Sequence, residues 1–409
     1  MKNGANRNIV QNRDCNCAEV AMPDDPTARV ALQKITLTNF RCYDHVSLKV
    51  DSRSVVLTGP NGAGKTNLLE AISLLAPGRG LRRARIEELD RRHELGNSST
   101  SEWGIAAIIE TPMGPIQIGT GRNKTVGSRR IVRINGTDTG SQNALAEYVD
   151  AVWLTPQMDR LFVEGAAGRR RFFDRLAFGF DTAHAGRVNA YNHAMRERIG
   201  LLRSNTGDGI WLDKLEQSMA ERGVAIAAAR RELAARLDKA SLYTSGCFPV
   251  AGVTAVGLIE DWLNNVPALE AEQRFAVELK KNRRRDGECG KTELGPHRSD
   301  FIVAHVAKGL PAVQCSTGEQ KALLIAIVLA NTRLHARERN RIPLLLLDEV
   351  AAHLDAKRRK ALFDEICNLG AQAWLTGTDL AFFESFGNNA QYVSVSDAKF
   401  KEFASISTV

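Results

Sequence analysis

Residues 30 to 40 alternate apolar and polar side chains around Leu32, Ile35 and Leu37, which predicts a strand with one buried face. Residues 46 to 50 predict a second strand, and the apolar run 54 to 58 a short buried one. Residues 67 to 75 then carry apolar positions at helical spacing, with no Gly or Pro before Pro77. Three more strand-like runs follow at 103 to 109, 116 to 120 and 130 to 134, the last closed by an Asn135-Gly136 turn. The pattern turns helical from 159 to about 242, interrupted around 204 to 209. Leu215, Met219, Val224, Ile226, Leu233 and Leu237 suit an antiparallel helical hairpin, a short coiled coil or an ordinary amphipathic helix, since no strict heptad runs for three repeats. A second helical run spans 269 to 285. Strand character returns at 300 to 304, followed by a helix from 319 to about 337, a strand at 343 to 347, a helix from 357 to 369 and a strand at 373 to 376. That β-α-β-α-β alternation predicts a parallel sheet with crossover helices.

The chain therefore reads as one α/β domain split by a largely helical insertion. The expected boundaries are an N-terminal half at 29–155, a helical arm at 156–291 and a C-terminal half at 292–409. Residues 1–28 are polar, Asn-rich and without period, so disorder is expected there. Met22 is a candidate alternative start.

Composition narrows the function classes. The 409 residues are 44% hydrophobic and 25% charged, ordinary for a globular protein, and carry a formal net charge of +8, which favours an acidic partner such as nucleic acid. The seven cysteines are scattered and include no C-x-x-C pair, so reduced thiols in a cytoplasmic setting are expected and a zinc site is not. No apolar run reaches the length of a transmembrane helix, and the N-terminus has no apolar signal-peptide core.

The chemistry concentrates in two places. Gly59-Pro60-Asn61-Gly62-Ala63-Gly64-Lys65-Thr66 fits G-x-x-x-x-G-K-[ST] between a predicted strand and a predicted helix. Its glycines let successive backbone N–H groups converge on an anion, Lys65 would reach β- and γ-phosphates, and the Thr66 hydroxyl would ligate Mg²⁺. Far along the chain, the apolar strand ending in Asp348-Glu349 offers a first acid for the metal and a second placed to activate water. Ahead of it, Ser316-Thr317-Gly318-Glu319 opens a long helix. Ser316 is an N-cap with Glu319 in capping-box spacing, or a second phosphate-binding helix terminus. Because this chain already supplies a phosphate loop, such a terminus would complete the site of a second copy.

Together these motifs and Asp355 resemble the ABC-type ATPase head of the SMC family. The runs at 35–43 and 59–67, Gly295-Pro296-His297-Arg298-Ser299-Asp300, and the segment from Thr155-Pro156-Gln157 to Arg169-Arg170-Arg171-Phe172-Phe173-Asp174 resemble the RecF family specifically. The resemblance implies an ABC-type head, a mixed β-sheet with a phosphate-loop helix, split by the arm. It implies ATP and Mg²⁺ as cofactors, with Asn67 extending the phosphate loop and Arg41 beside the nucleotide. Gln157 would sense the metal and its water. Ser316 and Gly318 would touch the opposite ATP in trans, and Asp355 would communicate across the dimer. The pattern departs at Thr376-Gly377-Thr378-Asp379, where transporters of the wider class carry a γ-phosphate histidine; Thr378 is the candidate substitute.

The resemblance further implies an ATP-dependent homodimer that binds duplex DNA beside single-stranded gaps, acts with RecR and RecO to load RecA, and hydrolyses ATP slowly to release. Candidate phosphate contacts are Arg82, Arg83 and Arg85; Arg129, Arg130 and Arg133; Arg169 to Arg171; and the run 280–285. Arg169 to Arg171 are also candidates for internal ion pairs. An ABC transporter subunit is the competing reading, opposed by the large insertion before Ser316. A long-armed SMC-like ATPase is another, opposed by an insertion of only about 130 residues at about 1.5 Å per helical residue.

Overall fold

The computed structural model describes residues 29–91, 102–123, 129–204, 209–243 and 246–403. The expected disorder at 1–28, the alternative start at Met22 and most of the interruption near 204–209 lie outside those residues.

Alternating side chains make β1 (Ala31–Phe40) and β2 (Tyr43–Lys49) an antiparallel hairpin, turned by Asn39 and Arg41 in left-handed conformations. Next come β3 (Ser54–Thr58) and α1 (Lys65–Ser73). The strands β4 (Trp103–Thr111), β5 (Gly114–Arg122), β6 (Ile131–Ile134) and β7 (Thr137–Asp138) then extend the hairpin into a six-stranded antiparallel sheet ordered β2-β1-β4-β5-β6-β7.

After β8 (Ala151–Leu154) the chain enters the arm: α2 (Ala166–Phe178), α3 (His184–Ser204), α4 (Gly209–Ser241), β9 (Ala251–Val256), α5 (Leu258–Trp262), α6 (Ala268–Lys281) and α7 (Arg283–Cys289). The 33-residue α4 is one continuous helix rather than a hairpin, about 50 Å long at 1.5 Å per residue. Its first half packs Met219, Val224 and Ala227 into the arm core with Tyr191 and Phe275. Its second half sends Leu233 and Leu237 into the head core. Arg198 locks the arm's interior: fully buried, it bonds Glu216 at 2.9 Å, Asp286 at 2.7 Å and the Leu279 carbonyl at 2.6 Å.

The chain continues through β10 (Asp300–His305), β11 (Leu310–Pro311), α8 (Thr317–Arg339), β12 (Leu344–Leu347), α9 (Ala356–Asn368), β13 (Ala373–Gly377), β14 (Ala390–Ser396) and β15 (Lys399–Phe403). The central sheet is ordered β15-β14-β3-β13-β12-β8, parallel except for β15. A parallel strand covered on both faces needs apolar residues pointing both ways. Leu345, Leu347, Ala373, Leu375 and Val56 join one core with α8 and the arm; Leu344, Leu346, Trp374, Val55 and Leu57 join the other, with α1 and the antiparallel sheet.

The fold differs from the sequence pattern in three respects. The strand at 300–304 does not open the parallel sheet; β10 pairs antiparallel with β9 and β11 in a separate three-stranded sheet. That pairing links residues on either side of the expected boundary at 291/292. The helical run at 269–285 breaks at Asn282 into α6 and α7. The strands β8, β9, β14 and β15 carried no distinct periodic signal, because each is short or has its pattern fixed by the neighbours it pairs with.

Candidate functional site

Parallel pairing brings the carboxyl ends of β3, β13 and β12 together, with Thr58 opposite Gly377 and Leu347 opposite Leu375. The loop leaving β3 is held open by close packing. A Cβ on Gly59 would stand 2.1 Å from the Val395 carbonyl oxygen, and one on Gly64 2.8 Å from the Tyr43 hydroxyl. Gly59, Gly62 and Gly64 all have positive φ, which residues bearing a Cβ rarely adopt. Pro60 and Asn61 are exposed along the rim and Ala63 is buried under it. The Tyr43 hydroxyl donates to the Gly64 carbonyl at 3.0 Å from beneath, and burial raises the pKa of that phenol.

Lys65 is the first residue of α1 and is almost fully buried. Its Nζ donates to the carbonyls of Gly59 at 2.6 Å and Pro60 at 2.9 Å, so the ammonium lies under the loop. Burial lowers its pKa, while the charges of Glu349 and Asp348 oppose that shift. The Thr66 hydroxyl donates to Asp348 Oδ1 at 3.0 Å, and the Thr376 hydroxyl donates to the same oxygen at 2.7 Å. Thr376 Oγ1 also accepts from the backbone N–H of Glu349 at 2.9 Å. Glu349 itself sits at φ 53, an uncommon conformation for a residue with a Cβ. One hydroxyl on β13 thus holds both the Asp348 carboxylate and the Glu349 backbone, just past the end of β12.

These donors fit a hard divalent cation. Thr66 Oγ1 and Asp348 Oδ1 are oxygen ligands of the kind Mg²⁺ takes, already within one hydrogen bond of each other beside the phosphate loop.

The other expected residues fall into three groups. Gln157 is exposed, three residues past the end of β8, whose Leu154 carbonyl accepts from the Asp348 N–H at 2.9 Å. It therefore lies on the same sheet end as the acids. Arg41 is engaged with α1: Nε and Nη2 form a bidentate pair with the buried Glu70 at 2.9 and 2.8 Å, and Nη1 donates to the Glu88 carbonyl. Asn67 accepts from Arg82 at 2.7 Å and donates to Cys42 Sγ at 3.1 Å.

Ser316, Gly318 and Asp355 form a second cluster. Ser316 Oγ donates to Glu319 Oε2 at 2.9 Å, and Glu319 Oε2 also accepts the Ser316 N–H, a closed capping box. Lys308 and these Ser316 bonds hold Glu319 down to about 2. Asp355 caps α9 by accepting the Arg358 N–H at 2.8 Å, and Arg358 Nη1 reaches the Gly318 carbonyl at 3.3 Å. A Cβ on Gly318 would meet nothing nearer than 3.8 Å. These groups face solvent and bond one another, not the phosphate loop. Thr376, rather than Thr378, supplies the hydroxyl at the acids; Thr378 is exposed on the turn after β13. Nothing local in the sequence distinguishes Thr376 or Tyr43 from any other strand threonine or strand tyrosine.

Residues 31–399 match the RecF/RecN/SMC N terminal domain. The chain is 46% identical over 374 residues to the DNA replication and repair protein RecF of Mesorhizobium japonicum, covering 90% of this chain and 97% of that one. Identity to the same protein of Rhizobium meliloti is 42%, covering 91% and 98%. The chain belongs to the RecF family. Its fold is that of a solved recombination mediator protein RecF with ATP, at TM-score 0.78, 23% identity, and coverage of 95% and 100%. A solved SMC head bound to the C-winged helix domain of ScpA shares the fold more distantly, at TM-score 0.51 and 14% identity, covering 92% and 98%. As in those RecF and SMC heads, the architecture is an ABC-type ATPase head, here split by the arm. No helix among the described residues is long and apolar enough to cross a membrane.

Proposed function

We propose that this RecF-family chain is an ATP-dependent DNA-binding protein of recombinational repair whose ATP site is shared between two copies. One observation carries the reading: two sets of site residues stand apart in one chain, one buried and wired around Asp348, the other at the surface around Ser316 and Gly318.

The loop at 59–66 cradles the triphosphate, with Lys65 turning from its carbonyl partners toward the β- and γ-oxygens. Thr66 and Asp348 would hold Mg²⁺, which neutralises charge on those oxygens when bound. Glu349 accepts a proton from the attacking water, and its backbone, held by Thr376, sets where the carboxylate points. Gln157, at the neighbouring strand end, contributes to positioning that water. Arg41, tied to Glu70, buttresses α1 from behind the loop. Ser316 and Gly318 of the second copy close over the γ-phosphate, and Asp355 lies beside them through Arg358.

ATP thus joins two heads, the joined heads bind duplex DNA beside single-stranded gaps, and slow hydrolysis separates them. RecO and RecR are the partners in loading RecA that the family implies. An ABC transporter subunit fits less well, because the arm of α2 to α7 occupies the space where a transporter subunit has a much shorter helical subdomain.

The test is binding of fluorescent gapped, duplex and single-stranded DNA, with and without ATP, across a salt series. Tighter binding to gapped or duplex DNA with ATP is expected, weakening steeply with salt. Binding that ignores ATP would contradict the proposal.

A further inference from the structure

The sequence offers four basic runs, and the fold engages most of their side chains internally, seven of the fourteen in ion pairs with carboxylates. In the run 280–285, Lys280 pairs with Asp213 at 3.0 Å, Lys281 with Glu278 at 2.9 Å, Arg283 with Asp213 and Glu216 at 2.5 Å, and Arg284 with Glu288 at 3.0 Å. Arg130 is half-buried and bonds Thr120, Gln142 and the carbonyls of Gly78 and Leu74. Arg129 donates to the Gly140 carbonyl. Arg82 pairs with Glu70 and Arg85 with Glu88. Arg169 forms a bidentate pair with Asp300 at 2.8 Å, and Arg170 donates to the Ser299 carbonyl at 2.7 Å.

Four members of these runs, Arg83, Arg133, Arg171 and Arg285, are exposed and have no carboxylate partner among the described residues, and two of them stand together with a third arginine. Those two are Arg83 and Arg171, and the third is Arg79, which is also exposed and which no run contained. Among the described residues none of the three forms an ion pair with a carboxylate. They are neighbours nonetheless: partial burial of its stem, and then the charges of Arg171 and Arg79, push the Arg83 guanidinium below its ordinary pKa. Beneath them lies Arg175, one turn after Arg171 on the same face of α2, stacked over the Trp153 ring at 4.1 Å. It too lacks a carboxylate and feels the Arg83 charge; burial, then Arg83, holds it at about 9. Its Nε has no hydrogen-bond partner.

The loop that presents Arg79 and Arg83 is a built feature. A Cβ on Gly80 would stand 2.9 Å from Leu74, the Leu81 N–H donates to Ser73 Oγ at 2.7 Å, and Arg130 clamps the Gly78 carbonyl. Arg83 is held at φ 55, unusual for a residue with a Cβ. Pro77 at the base of the loop and Arg175 line one small cavity, so loop and helix lie against each other. Four like charges gathered without counter-ions cost free energy in the free protein, and a polyanion removes that cost.

We propose that Arg79, Arg83 and Arg171, backed by Arg175, are a contact for consecutive backbone phosphates of duplex DNA. This rests on the DNA-binding reading above and assigns its surface. The three side chains are exposed, which leaves them open to a long polyanion. Guanidinium forks match phosphate oxygens and carry no sequence preference. The segment holding Arg79 and Arg83 follows α1 directly, so DNA would dock against the helix that begins at the phosphate loop.

The test compares the wild type with the triple variant Arg79→Gln/Arg83→Gln/Arg171→Gln and with a control, Lys280→Gln/Arg284→Gln. Anisotropy of labelled duplex DNA is read with ATP between about 50 and 200 mM salt, the range over which phosphate contacts are lost. The triple variant is expected to bind about tenfold or more weakly, with a log–log salt slope shallower by about 2 to 3. The control should stay within about twofold, since its charges are already neutralised at home. Nucleotide binding by the triple variant reports that it is folded; should it fail, the three single variants replace it, each expected to reduce the slope by about 1. A wild type that does not bind duplex DNA overturns the functional reading itself. A wild type that binds while the variants keep its affinity and slope overturns only the assignment of this surface.

Discussion

The two halves of the candidate site solve opposite problems. Around Asp348, the hydroxyls of Thr66 and Thr376 and the Glu349 N–H are hydrogen-bonded inside the chain, and Lys65 is held beside them by two loop carbonyls. Around Ser316, the groups lie at the surface, exposed at Ser316 and Asp355 and half-buried at Gly318, Glu319 and Arg358, and satisfy one another through a capping box and Arg358. The half around Asp348 is preorganised for ligand, with the buried Asp348 and half-buried Glu349 carboxylates acting on the Lys65 ammonium. The exposed half is stable alone and presents a helix N-terminus outward. A site built within a single chain would have no reason to keep these ends apart; a site closed by a second copy requires it.

That contrast predicts distinct phenotypes. Lys65→Ala removes the charge under the loop, and ATP affinity should fall about 100-fold or more, as two charge-assisted contacts at about 1.5–3 kcal/mol each are lost. Calorimetric titration reads this, and unchanged affinity would break the assignment of the buried half. Ser316→Arg should do the reverse. ATP binding by the single chain stays within about twofold, while ATP-dependent self-association weakens about 30-fold or more, the scale of an interface hot spot. Equal loss of both functions would merge the two halves into one.

Smaller effects sharpen the account. Thr376→Val leaves Asp348 and the Glu349 N–H each short of a partner, and should cost about 1–3 kcal/mol in denaturant unfolding while raising the magnesium concentration needed for nucleotide binding. Acid acts on the far end of α8. Burial holds His335 down to about 4, with Asp150 opposing and Arg341 and Arg339 assisting. Its folded pKa lies below the unfolded value of 6.5, so the unfolded chain binds the extra proton first. Stability is therefore complete above about pH 6.5 and declines as pH falls toward 4. The wild type should lose about 2 kcal/mol between pH 7 and pH 5 from this group, a decline that His335→Gln should flatten. Glu319→Ala opens the capping box and should lower the midpoint of denaturant unfolding with no change in ATP binding by the monomer.

Much of this was legible in the chain. The phosphate loop, the apolar strand before Asp348 and the cap at Ser316 are local patterns, and the local backbone follows them. The separate sheet of β9, β10 and β11 was not, because strand partnership depends on residues far apart in sequence. Thr376 was missed for the same reason: its meaning comes from β13 lying between β3 and β12. Charge runs were the least informative. The sequence shows six consecutive residues of 280–285 as mostly basic, but only the fold shows Asp213, Glu216, Glu278 and Glu288 beside them. It equally could not show that Arg79 and Arg171 both lie near Arg83.

Sedimentation velocity of the wild type and of Glu349→Gln, each with ATP and with ADP, tests the shared site most directly. Glu349→Gln should bind ATP and hydrolyse it about 100-fold or more slowly, within the range a general base supplies, and so accumulate as a dimer. With ADP both proteins should sediment as monomers, and the wild type with ATP should fall between. A Glu349→Gln protein that binds ATP and remains monomeric would contradict the account.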